Sequence, residues 1–101
     1  MLRITGPTEI DRFEIILKGV DKASIKTISF HMQMEEYSCN AGFVSTNEGL
    51  IIRGYFAKGD VSTYILVGRL INKICMILRR SIIVGSFTIA DQIWSFEYED
   101  V

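Results

Sequence analysis

Histidine, cysteine and clustered carboxylates are the side chains with the widest chemistry, and this sequence holds few of them. His31 is the one histidine, and Cys39 and Cys75 are the two cysteines, in 101 residues. A thiol becomes a nucleophile when an imidazole stands within hydrogen-bond reach. Cys39, in Ser38-Cys39-Asn40-Ala41-Gly42, would meet His31 if the strands carrying them pair, and that gives a cysteine-dependent enzyme as one reading. Against it, Cys39 alternates with Tyr37, Ala41 and Phe43, which marks a core position. Cys75 falls on the apolar arc of a long helical stretch, where a thiol acts as a small hydrophobe. One histidine and two separated cysteines do not assemble a metal site, and no GxGxxG or GxxxxGK[ST] run offers a phosphate cradle. No catalytic residue, metal or cofactor is therefore expected.

Charge is more informative than nucleophiles. Eleven basic and twelve acidic residues leave a net charge of −1, so nothing draws the chain toward nucleic acid in general, and no nucleic-acid partner is expected. The acidic residues are unevenly placed: Glu97, Glu99 and Asp100 follow Trp94, Phe96 and Tyr98, and Glu35 and Glu36 would join them if their strand lies alongside. Such a patch can steer a basic protein partner. It can equally serve as a solubilising chain end that discourages edge pairing. The aromatic residues beside it could stack bases, but the neighbouring carboxylates would repel phosphate, so packing against a helix is the expected role.

The element that must position these groups is Asp60 to Arg80. Tyr64, Val67, Ile71, Ile74 and Leu78 recur at three and four residue steps, widened by Leu70, Cys75 and Ile77, which predicts a helix about 31 Å long. Asp60 is placed to cap its first N–H groups, with Arg79 and Arg80 at the negative end of its dipole. Arg69 and Lys73 in the middle argue against a membrane span. Ile65 and Met76 interrupt the polar side. Together with Arg69, Asn72 and Lys73 they form a second candidate partner or dimer surface.

Around the helix the chain reads as strands. Leu2 and Ile4 alternate in Met1–Thr5, and Gly6-Pro7 ends that strand. Thr8 to Val20 fits either period, with Ile10, Phe13, Leu17 and Val20 on a helical face, but its β-branched and aromatic content predicts a strand from about Arg12 to Gly19. Ile25 to Met34 alternates Ile28, Phe30, Met32 and Met34 against polar neighbours and is likewise read as a strand. A hairpin follows, Tyr37–Ser45 and Leu50–Lys58 about the turn Thr46–Gly49, leading into the helix. Ile82–Ile89, with Gly85 at a bulge or close approach, and Ile93–Tyr98 complete the set.

The expected architecture is α+β: residues 1–101 as a single domain, with an antiparallel sheet of six or seven strands on one long α-helix (about 60–80), in the order β-β-β-β-β-α-β-β. The N-terminus carries no secretory signature, which predicts a cytoplasmic protein. The function expected from size and charge is non-catalytic protein binding, in the manner of an inhibitor or an immunity or antitoxin-type protein that neutralises a basic partner such as a nuclease. A dimeric small-ligand binder, with a pocket lined by Phe30, Met32, Met34 and Trp94, is the second reading.

Overall fold

The computed structural model describes residues 12–34, 39–56 and 61–100. Its elements are β1 (Arg12–Lys18), α1 (Ile25–Met32), β2 (Cys39–Ser45), β3 (Gly49–Phe56), α2 (Thr63–Leu78), β4 (Ile82–Ile89) and β5 (Gln92–Glu99), with a 3-10 turn at Lys22–Ser24 leading into α1. The class is α+β and the sheet is antiparallel. The count differs from expectation: among the described residues there are five strands, ordered β2-β3-β1-β4-β5, and two helices. The expected strand Met1–Thr5 lies outside the described residues.

The main correction is Ile25–Met34, which contains a helix instead of a strand. Topology supplies the reason. β1 and β2 both run antiparallel to β3 and so point the same way, and joining two such strands takes a crossover. α1 is that crossover. Ile25, Ile28 and Met32 also fit a three-and-four spacing, so alternation alone did not distinguish the two periods. Asp21 starts the helical run, its Oδ1 accepting from the Ala23 N–H at 3.0 Å. Ile28 and Met32 are buried, while Phe30 and Met34 are 60% and 66% exposed.

α2 is the second crossover, between β3 and β4. The run β1-α1-β2-β3-α2-β4 with strand order β2-β3-β1-β4 is the split βαβ, or ferredoxin-like, arrangement, to which β5 adds a hairpin. Ala90 and Asp91 form its two-residue turn, both with positive φ, at 48° and 67°. Ser62 caps α2 in place of Asp60, its Oγ accepting from the Ile65 N–H at 3.4 Å, and Asp60 itself lies outside the described residues. Arg79 ends the helix in the left-handed region, and Arg80 Nη1 donates to the Gly19 carbonyl at 2.7 Å, tying the helix end to the end of β1.

Leu66, Val67, Leu70, Ile71, Ile74 and Cys75 of α2 form one core with Ile28 and Met32 of α1 and the inward side chains of the sheet. Trp94 of β5 stacks on Phe87 at 5.1 Å between ring centroids, and Tyr64 of α2 meets both rings. Trp94, Phe96 and Tyr98 thus face the helices, as expected. Gly85 is the close approach that the sequence suggested: a Cβ there would stand 2.0 Å from the Ile16 carbonyl oxygen and 2.7 Å from Phe96 Cζ.

Candidate functional site

Both helices contribute their buried faces to one side of the sheet, and the alternate residues of every strand face the other way. Strand register assembles these outward residues into rows. Ile16, on the central strand β1, stands between Ile51 of β3 and Ser86 of β4, and Val44 of β2 continues the row beyond Ile51. On the β4–β5 side, Val84 is opposite Glu97, Ile82 opposite Glu99, and Thr88 opposite Ile93. Val44, Ile82, Val84 and Ile93 are 40% to 73% exposed, while Ile16 and Ile51 are half-buried by their neighbours. Apolar side chains therefore lie on this face in two groups, Val44, Ile51 and Ile16 in one and Val84 and Ile82 in the other, with Ser86 and Lys18 between them and Ile93 apart beside Thr88 and Ser95. Exposed apolar side chains grouped on one face are a candidate contact surface for another molecule.

Charges lie among these groups, with Glu14 and Lys18 on either side of Ile16 along β1. Arg53 donates through Nε to Glu14 Oε2 at 2.7 Å, a pair of facing positions on β3 and β1. Being exposed, that pair adds at most about 1 kcal/mol to stability. Arg12 places its guanidinium 5.5 Å from the centre of the Tyr55 ring. At this end of the face Arg12, Glu14, Asn40, Arg53, Tyr55 and Asp91 line part of a shallow depression of about 1010 Å³. The diagonally opposite corner, on β5, carries Glu97 and Glu99.

The acidic residues singled out from the sequence are thus partly brought together. Glu97 and Glu99 share the open face and Asp100 follows them, its N–H donating to the Ser81 carbonyl at 2.9 Å, whereas Glu35 and Glu36 lie outside the described residues. On α2, Ile65 and Met76 are 51% and 59% exposed, Arg69 and Asn72 are exposed, and Lys73 is half-buried. Asn72 Nδ2 donates to Met76 Sδ at 3.6 Å. The ligand pocket does not form as drawn: Met32 is in the core and Trp94 is on β5, but Phe30 and Met34 face solvent.

His31 sits in α1, so the strand pairing that would have brought it to Cys39 does not exist. Cys39 is half-buried, and Cys75 is fully buried, which pushes its thiol up to about 11 and keeps it protonated and inert near neutrality. Among the described residues no three His, Cys, Asp or Glu side chains group to hold a metal ion, and no helix is long and apolar enough to cross a membrane.

The Arg12, Glu14, Arg53 and Tyr55 cluster and the Ile16–Ile51 row were not singled out from the sequence. Glu14 and Arg53 are 39 residues apart, and only the β1–β3 register makes them neighbours. The available signal was local: Ile16 in Arg12-Phe13-Glu14-Ile15-Ile16-Leu17-Lys18 is apolar where alternation calls for a polar residue. No family model, no curated protein and no solved structure matches this chain.

Proposed function

We propose that this chain works by binding another protein, without chemistry of its own, and that the open face of the sheet is where the partner docks. The supporting observation is that face itself: Val44, Ile82, Val84 and Ile93 stand exposed beside half-buried Ile16 and Ile51, on a sheet whose other side holds the whole core. Exposed isoleucine and valine are released from an unfavourable state when a partner covers them, at about 25 cal/mol per Å² of apolar area. Glu97 and Glu99 at the β5 margin make a basic partner surface the complementary one. An inhibitor or immunity-type protein covering the basic cleft of a nuclease is the heterologous form of this reading, with Glu97, Glu99 and Asp100 as its acidic contacts.

Quantitative affinity capture from the native host, run with the unaltered chain and two variants, tests the reading. Ile93→Asp combined with Glu97→Lys is expected to deplete the specific partner, while Ile65→Asp combined with Met76→Asp on α2 is expected to leave it. Capture that is indifferent to the first pair and lost with the second would move the site from the sheet to the helix.

A further inference from the structure

β2 and β5 form the two edges of the sheet, and they are unequally guarded. β5 carries Glu97 and Glu99, charges of the kind that keep an edge from pairing. β2 has no charged residue and no proline, and it pairs with β3 residue for residue over all 7 positions, so no bulge turns it away. Among the described residues no strand pairs with its outer side. We propose that two copies of the chain join here, β2 against β2 and antiparallel about a two-fold axis at Gly42, so that one sheet runs through both.

Gly42 is the residue that marks a close approach. Among the described strand glycines, Gly49, Gly54 and Gly85 lie where a Cβ would press on a backbone oxygen of the neighbouring strand, so the fold itself requires them. Gly42 is exposed, has no positive φ, and has nothing within 4 Å of a would-be Cβ. Nothing within one copy calls for glycine there, although glycine weakens a strand interior. Such a glycine fits a place where another backbone comes near.

The ladder fixes which backbone groups are available. Thr46 N–H donates to the Gly49 carbonyl at 2.9 Å, so Thr46, Val44, Gly42 and Asn40 turn their backbone groups toward β3, while Ser45, Phe43 and Ala41 turn theirs outward. With the axis at Gly42, Ala41 comes opposite the partner's Phe43 and exchanges both N–H···O bonds with it, and the symmetric pair does the same. Small then faces large on the helix side, where Ala41 and Phe43 are half-buried against the core. On the open face Asn40 meets the partner's Val44, and the two Gly42 Cα atoms stand about 4.5 Å apart. No like charges oppose each other along the strand. Gly42 is the middle residue of β2, so this axis overlaps the strands fully, whereas an axis at Phe43 would set two phenylalanines face to face and shorten the overlap.

Sedimentation equilibrium of the full chain provides the test, with Gly42→Lys, Gly42→Glu and their equimolar mixture. A dimer is expected for the unaltered chain. Each variant alone sets like charges opposite each other across the axis and is expected to weaken the dimer roughly tenfold or more, and the mixture is expected to restore it as a heterodimer. Both are expected to keep the native circular dichroism spectrum, because open space receives the new side chain. Ala41→Pro removes an outward N–H and is expected to abolish the dimer. A monomer up to about 1 mM overturns the proposal, as does a dimer that the charges and the proline leave intact, or a mixture that stays monomeric. If the unaltered chain is a monomer and Ala41→Pro loses a captured protein, the edge takes an extended segment of that protein in place of a second copy. Capture by the open face is read separately, through Ile93→Asp with Glu97→Lys on β5.

Discussion

Replacing Gly85 by alanine sets two opposed effects against each other, and the structure decides the sign. A Gly→Ala change at a compatible position stabilises by about 0.4–1 kcal/mol, because the unfolded chain loses freedom. At Gly85 the new methyl would lie 2.0 Å from the Ile16 carbonyl oxygen and 2.7 Å from Phe96 Cζ. The ring can turn aside, but the carbonyl belongs to the central strand. Restoring a normal contact requires β1 and β4 to separate by more than about 1 Å locally, which weakens one or two ladder hydrogen bonds at about 1 kcal/mol each and adds about 1–3 kcal/mol of overpacking. The net expectation is a loss of about 2–4 kcal/mol. At about 4–8 °C per kcal/mol for a domain of this size, Tm falls by at least about 8 °C in a circular dichroism melt. Adding Phe96→Leu relieves the ring contact and leaves the carbonyl contact, so the double variant stays destabilised. A Tm equal to or above that of the unaltered chain would refute the reasoning, since the unfolded-state term would then have won.

Gly68 offers the opposite case: it is exposed in the middle of α2 with no heavy atom within 4 Å of a would-be Cβ, so Gly68→Ala is expected to raise stability by about 1 kcal/mol in urea unfolding. An unchanged or lowered stability would mean that something approaches the helix there. Burial of Cys75 favours its neutral form, so its pKa in the folded chain stands above the unfolded value; the stabilisation is complete below about 9 and is lost as pH rises toward about 11. The unaltered chain should accordingly lose about 2–3 kcal/mol more than Cys75→Ala between pH 8 and 11, and parallel curves would contradict this. Thiol labelling at pH 8 should modify Cys39 in the native protein and Cys75 only in denaturant, and native labelling of Cys75 at the rate of Cys39 would contradict its burial.

Periodicity carried the fold reading where one element had one plausible period. α2, β2, β3, β4 and β5 lie within a few residues of their expected places: α2 repeats at three and four steps, β2 and β5 alternate, and β3 and β4 are short runs rich in β-branched and aromatic residues next to turn signals. Ile25–Met34 satisfied both patterns, and what selected the helix was the need to cross between β1 and β2, a constraint visible only once β3 is known to lie between them. The same missing knowledge hid the candidate site. Glu97 and Glu99 were legible as an acidic cluster because they are close in sequence. Ile16, Ile51, Arg53 and Glu14 come together only through strand order and register. Helix exposure was easier to foresee: Ile65 and Met76 lie outside the core, as the wheel placed them.

Isoleucine δ1-methyl spectra recorded with and without the captured partner test the central claim most directly, since the reporters lie on the sheet face, on α2 and in the core. Ile16, Ile51, Ile82 and Ile93 lie on the open face, Ile65 on the outside of α2, and Ile15, Ile52 and Ile74 in the core. Docking of a partner through the sheet predicts shifts at Ile16, Ile51 and Ile93, with Ile65 and the core methyls unmoved. Shifts confined to Ile65, or a spectrum of the face that the partner leaves unchanged, would contradict it.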